Sequence, residues 1–387
     1  MPVYQTPGVY VEEIPGTPPI VGVGTSTAAI IGEVANSATM PDKPDGSGKY
    51  VKAPVNEPRL VTNWLQFVVQ FGEIQGGNKL LALAVNGFFL NGGTRCYVVR
   101  TEDMTVESIK ESLRMLEKID EIAIVCAPGA VDAMAKELIA HCEKMEDRFA
   151  IVDGHQHDDP ALSPGVDDIK GTVLSNNTYA GLYFPWLKIS DPLEDPGELY
   201  SMPPSAHMAG IFSRVDAQRG VHKAPANEVV RGIVDLDYRM NHNEQGSLND
   251  AGINIIRSFS SGIKVWGART LGGKDNGEFK YVSVRRLINF LKESIDEGTQ
   301  FAVFEPNAQP LWQKIKRSVN GFLTNVWRDG ALFGATPEEA FFVKCDESTN
   351  PPEVRVLGQV IIEIGVAVVQ PAEFVIFRIS QITGAGA

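Results

Sequence analysis

YVSVRRLINFLKESIDEGTQFAVFEPNAQPLWQKIKRSVNGFLTNVWRDGALFG, residues 281–334, preceded by GIKVWGARTL at 262–271, is the stretch whose reading decides the fold. It predicts strand, helix, strand, helix. Val284, Leu287, Ile288, Leu291 and Ile295 recur at helical spacing and give the first helix one apolar face. Gly298 reads as its stop, since glycine takes positive φ just past a helix end. FAVFE, 301–305, reads as a short buried strand. Pro310 suits the first turn of the second helix, where a missing N–H costs nothing. In that helix Leu311, Ile315, Val319, Phe322 and Val326 share a face, and Gly330 closes it. The stretch holds no nucleophile–base pair and no phosphate loop.

Working back from it, residues 105–153 alternate helix and strand. Val106, Ile109, Leu113 and Leu116 line one helix, and Val131, Met134, Leu138 and Met145 the next. EIAIVCAPG (121–129) and FAIVDG (149–154) read as the strands between and after them. Ahead of these lie an apolar strand within 20–35, a polar Pro/Gly-rich loop at 36–58, helices at 64–71 and 80–90, and a strand at 94–100. Such alternation predicts a mixed α/β fold whose sheets are flanked by helices. TYAGLYFPWLKI (178–189) reads as strand, and 190–205 as a long proline-rich loop. Thr336-Pro337-Glu338-Glu339 reads as a capping box opening a short helix. Residues 358–369 read as one long strand and 373–381 as a last one.

The end of the 149–154 strand carries the chain's one chemical-looking cluster. Asp153, His155, His157 and Asp158 fall within a few residues where α/β sheets gather their sites, and a His-x-His pair with carboxylates can take a zinc or iron ion. A metal-dependent α/β enzyme is therefore the alternative to weigh. Against it, the loop supplies no further identifiable ligand, and the same residues suit a solvated acidic loop. His207 with Ser205 or Ser213 lies in a helical pattern with no visible oxyanion hole, so packing is the simpler reading. Gly22-x-Gly24 lacks the third glycine and the lysine that a nucleotide cradle needs.

Composition bounds the rest. The 387 residues are 43% hydrophobic, enough for a large core, and carry a net charge of −13, which argues against a nucleic-acid partner. Cys96, Cys126, Cys142 and Cys345 form no CxxC pair and read as buried free thiols of a reducing compartment. No apolar run is long enough to span a bilayer, and the first residues lack a signal-peptide pattern, so neither membrane insertion nor Sec export is expected.

Both ends look detached. Residues 1–20 hold five prolines by position (2, 7, 15, 18 and 19), and Val9, Tyr10 and Val11 alternate as a lone strand does. A lone strand needs a sheet edge, which another molecule can supply. Phe374, Val375, Ile376, Phe377 and Ile379 make a matching strand after Pro371.

VWGARTL (265–271), the 281–291 helix, FEPN (304–307), LW (311–312), GALFG (330–334), PPSAHMAGIFSRVDAQRGVHKAPAN (203–227) and PGVYVEE (7–13) together resemble the contractile tail sheath proteins of phage tails and phage-tail-like injection systems. The resemblance spans most of the chain. It implies a structural subunit, without enzymatic activity, cofactor or metal. Such a subunit polymerises around an inner tube in stacked six-fold rings and contracts from a metastable extended state to drive the tube through a target envelope. It implies arms at 1–20 and 371–387 exchanged between subunits, a first core segment at 21–100, an outer α/β domain at 101–261 and a C-terminal core at 262–370. Self, inner tube, baseplate and terminator proteins are the implied partners. Assembly would occur in the bacterial cytoplasm, into a phage tail or a released or cell-associated particle. The face of the 311–329 helix opposite its apolar stripe carries Gln313, Arg317, Asn320 and Arg328, flanked by Lys314 and Lys316. The resemblance assigns that basic face to the tube.

Overall fold

The computed structural model describes residues 19–157, 159, 161–173 and 177–376. The described chain divides into two units, one holding 23–293 and 368–376, the other 19–22 and 294–367. Strand β1 (Ala28–Glu33) opens the larger unit, followed by β2 (Pro58–Val61), β3 (Cys96–Thr101), β4 (Ile124–Cys126), β5 (Phe149–Asp153) and β6 (Ala180–Phe184). Strands β7 (Leu187–Ser190), β8 (Leu199–Met202) and β9 (Asp235–Leu236) form a separate small sheet. With β10 (Ile253–Phe259) and β11 (Gly262–Val265) the main sheet has eight strands, in the order β11-β10-β6-β5-β4-β1-β3-β2. The strands from β10 to β3 run parallel, and the edge strands β2 and β11 are antiparallel to their neighbours. The fold is the mixed α/β arrangement that the alternating pattern predicts.

Helices cover both faces. They are α1 (Trp64–Phe71), α2 (Lys79–Leu90), α3 (Val106–Leu116), α4 (Asp132–Met145), α5 (Val166–Lys170), α6 (Ser205–Arg219), α7 (His242–Asp250) and α8 (Val282–Thr299). Strand β1 shows why its sequence is apolar throughout. Ala28 and Ile30 enter one core with Phe67, Phe71, Phe88 and Phe212, while Ala29 and Ile31 enter the other with Ile109 and Leu138. A parallel strand buried on both faces loses the polar alternation of a half-exposed one. On the first face α2 and α6 approach closely at two glycines. A Cβ on Gly87 would lie 2.2 Å from the His207 ring, and one on Gly210 would lie 2.3 Å from the Phe88 carbonyl oxygen.

The smaller unit takes the end of α8 from Ser294, then α9 (Gln309–Arg328), α10 (Pro337–Ala340), β12 (Phe341–Lys344), α11 (Pro352–Val356) and β13 (Glu363–Val366). Helix α9 has Pro310 in its first turn and Gly330 at φ 81° just beyond its end, as read from the sequence. No helix among the described residues is long and apolar enough to cross a membrane.

Several expectations need correction. Gly298 does not end α8, which continues to Thr299; its missing Cβ instead admits the Ile20 side chain, which would stand 2.6 Å from an added methyl. FAVFE is no strand. Gln300–Ala302 forms a 3-10 turn, Phe304 takes φ 66° and is fully exposed, and Val303 is also exposed. A short apolar run cannot declare its class by periodicity, and no partner strand is present among the described residues.

The 358–369 segment is strand only over Glu363–Val366. Ahead of it, Asn350 takes both backbone groups of Ile361 with its side-chain amide, so a ladder is replaced by one side chain. The 178–189 run breaks at Pro185 into β6 and β7, which belong to different sheets, and the loop at 190–205 contains β8. Thr336 makes no side-chain cap. The carboxylate of Glu339 accepts from the Ala335 N–H, one residue ahead of the Thr336 N–H that the expected box would use, so the box does not form. From 371 to 376 the chain is in no strand.

Candidate functional site

The acid–histidine loop after β5 does not converge. Asp153 turns inward and accepts hydrogen bonds from the Gly129 N–H at 3.0 Å, the Ser205 N–H at 2.8 Å and the Ser205 hydroxyl at 2.8 Å. Helix α6 has proline at its own N-cap, so a carboxylate from β5 meets the positive end of its dipole instead. Burial raises that carboxyl to about 7 against the pull of these donors. His155 lies 3.1 Å from Asp132, and His157 meets the Leu162 carbonyl at 2.9 Å. Asp158 lies outside the described residues. Three side chains with three separate partners are structural contacts. No cluster of His, Cys, Asp or Glu fit to hold an ion occurs among the described residues.

The serine–histidine arrangement dissolves in the same way. Ser205 is engaged by Asp153, the Ser213 hydroxyl donates to the carbonyls of Ser26 and Ala209, and His207 packs on Gly87. All four cysteines are buried free thiols.

Doubly wound sheets place ligands where the strand order reverses, at the carboxyl ends of the strands. Here β1 has β3 on one side and β4 on the other, and a cleft of about 220 Å³ opens there beside Gly32, Glu33, Asn78, Lys79 and Tyr200. Its polar groups serve the chain itself. Lys79 pairs with Asp191 and lies 4.3 Å over the Tyr200 ring, and the Asn78 amide donates to the Phe71 and Glu73 carbonyls.

The smaller unit has two surfaces of a different kind. Helix α9 buries Leu311, Trp312, Ile315, Val319, Phe322, Leu323 and Val326 on one side. Gln313, Arg317 and Arg328 are exposed on the other, with Lys314, Lys316 and Asn320 half-buried at its margins. Lys314 lies 4.5 Å over the Phe301 ring, and none of these cations has an ion-pair partner among the described residues. Strands β12 and β13 pair antiparallel, Phe341 opposite Val366 and Lys344 opposite Glu363. Their outer edges carry no further strand among the described residues. A two-stranded sheet is marginal alone, and an unpaired edge is a template for another strand.

Of the expected arm residues, Val9, Tyr10, Val11, Phe377 and Ile379 lie outside the described residues. Phe374, Val375 and Ile376 are described and are 71%, 70% and 78% exposed. Just before them stands a residue that sequence reading missed. Glu373 accepts hydrogen bonds from Arg269, Tyr281 and Asn249. Burial pushes its carboxyl up, but these donors outweigh burial and hold it at about 2. The available signal was weak: a lone acid ahead of FVIF, and an arginine inside VWGARTL.

Residues 102–271 match the family model of the phage tail sheath protein central domain, and 274–382 match that of the phage tail sheath C-terminal domain. The chain belongs to the contractile tail sheath family. This sheath-family chain is 28% identical over 213 residues to the tail sheath protein of Burkholderia phage BcepMu, a match of 52% of this chain and 43% of that protein. It therefore spans less than half the length of that relative. Two solved sheath chains match end to end. One is the sheath complex of the extracellular contractile injection system PVC in its contracted state, with a TM-score of 0.79 and 29% identity, covering 99% of each chain. The other is the helical sheath of the anti-feeding prophage (AFP) in its contracted state, with a TM-score of 0.76 and 28% identity, covering 98% of this chain and 100% of that one.

Proposed function

We propose that this sheath-family chain polymerises around an inner tube in stacked six-fold rings and contracts from a metastable extended state to drive the tube through a target envelope. The observation that carries the reading is the likeness, over 99% of the chain, to a sheath chain solved within a contracted sheath complex. Inner tube, baseplate and terminator proteins are its partners, and no catalytic chemistry is needed. Subunits assemble in the bacterial cytoplasm into a phage tail or an injection particle.

The joints between subunits are strands. Val9–Val11 from one neighbour and Phe374–Ile379 from another add to the open edges of the β12–β13 pair. Backbone hydrogen bonds then carry the joint while domains reorient as rigid bodies. Supporting this are two edges that carry no further strand among the described residues and the exposed apolar run at 374–376. The tube surface is the α9 face with Gln313, Lys314, Lys316, Arg317, Asn320 and Arg328, supported by cations that have no ion-pair partner among the described residues, on a chain whose net charge is −13.

Negative-stain microscopy of the purified chain and of a variant lacking residues 1–14 tests the reading. The full chain is expected to form striated tubes and the variant to remain a folded monomer. Full-length tubes from the variant would remove the N-terminal joint, and discrete particles from the full chain under all assembly conditions would remove the polymer.

A further inference from the structure

Glu373 brings three elements onto one carboxylate. Arg269, just after β11, donates from Nε at 2.8 Å and from Nη2 at 3.0 Å. Tyr281, immediately before α8, donates its hydroxyl at 2.9 Å, and Asn249 of α7 donates its amide at 2.7 Å. Lys280 adds an ion pair at 3.3 Å. Arg269 is itself held from behind, its Nη1 donating to the Asn249 carbonyl and to Asp250, each at 2.9 Å. A two-pronged guanidinium–carboxylate contact fixes orientation as well as position.

The surroundings of Glu373 are the opposite of fixed. Among the described residues from 369 to 376, no other side chain is hydrogen-bonded and no backbone group belongs to a strand or bridge. The next three residues expose their apolar side chains. One acid thus ties an otherwise loosely held segment to the larger unit, at the last position before the chain turns apolar and outward.

We propose that Glu373, gripped by Arg269, Tyr281 and Asn249, is the anchor of the C-terminal arm: it fixes the point from which Phe374 onward reaches a second copy of this chain. The inference rests on the strand-exchange reading above. An arm free from the end of β13 would sample a wide volume, and its effective concentration at the neighbouring edge would fall with that freedom. Anchoring at Glu373 sets the root of the arm at the start of its apolar run, gives every copy the same reach, and passes the pull of the joint into α7 and the root of α8 rather than into the small β12–β13 sheet.

The test compares the full chain with Glu373→Gln, with Tyr281→Phe, and with a chain ending at Ile376. Spin labels at Lys274→Cys and Ile376→Cys report the arm root by pulsed distance measurement, the native thiols being buried. Glu373→Gln is expected to keep the wild-type circular dichroism, to at least double the width of the label distance distribution, and to lower the yield of tubes at least tenfold. Tyr281→Phe, which keeps the ion pair, falls between. An unchanged distance width, or normal tubes from Glu373→Gln, overturns the anchor. Normal tubes from the chain ending at Ile376 overturn the strand-exchange reading itself, so the two failures are told apart.

Discussion

Arg286 and Asp216 meet inside the larger unit as a two-pronged pair, Nη1 to Oδ1 at 2.9 Å and Nη2 to Oδ2 at 2.6 Å, with side chains 3% and 4% exposed. Thr25 completes the arrangement, its hydroxyl donating to Asp216 at 2.7 Å and its carbonyl accepting from Arg286 at 2.9 Å. The pair ties α6 to the start of α8. Removing one partner strands the other in the core, a loss of roughly 3–5 kcal/mol, whereas replacing both with apolar groups costs far less. Asp216→Ala is therefore expected to lower unfolding stability by about that much, and Asp216→Leu with Arg286→Met to recover most of it. Denaturant titration checks this, and a loss under about 1 kcal/mol for Asp216→Ala would mean that the pair holds nothing together.

The α2–α6 contact yields a second expectation. Alanine at Gly87 gains up to about 1 kcal/mol in helix propensity, but its methyl would stand 2.2 Å from the His207 ring. Overpacking of this kind costs about 1–3 kcal/mol, so Gly87→Ala should destabilise on balance. Adding His207→Ala opens the space the methyl needs, and the double variant should lose less than the two single losses combined. Strict additivity would show that the two residues do not touch.

Buried histidines set the acid response. Burial lowers His207 to about 4 from its ordinary 6.5, and burial with the Arg148 guanidinium beside it lowers His141 to about 4 as well. Both values are depressed, so the stability they contribute is whole above pH 6.5 and is lost as pH falls toward 4. Each histidine costs up to about 1.4 kcal/mol per pH unit within that window. Asp153 has the opposite sign. Its raised value means that its contribution is present at low pH and is lost as pH rises through about 7. Acidification from pH 7 to pH 4.5 should therefore destabilise the protein. His207→Gln should flatten the fall and Asp153→Asn should steepen it. Parallel stability–pH curves for all three proteins would contradict the assignment.

Those strands and helices of the larger unit whose apolar faces are large and regular were legible, whereas β9, α7 and β10 were not read. Val106 to Leu116 and FAIVD declare themselves by period or by unbroken burial. What failed was decided by partners that no local pattern contains. FAVFE needed a neighbouring strand and has none among the described residues, and Gly298 is set by Ile20, which is remote in sequence. The Ile361 backbone is claimed by the Asn350 amide, and the Gln359 carbonyl by the Asn307 amide. Glu373 was illegible for the same reason, because its donors come from 249, 269 and 281. The outward face of α9 was readable from helical rotation alone.

That face carries the last prediction. Arg317 is exposed on the solvent side of α9 and Lys314 is half-buried at its margin, both without ion-pair partners among the described residues, while Ile315 and Val319 hold the helix down from below. Exposed ion pairs contribute only about 0.2–1 kcal/mol each, so a tube contact built from them is weak per subunit and strong only by repetition along a polymer. Weakness per subunit suits a surface that has to let go during contraction. Replacing Lys314 and Arg317 with Glu should leave the subunit's melting temperature nearly unchanged, since neither side chain is in the core. The same change should prevent assembly on the inner tube or make extended particles fire early, and raising salt on the unmodified protein should weaken the contact in the same direction. Normal assembly and normal firing by the double variant would place the tube contact on another surface.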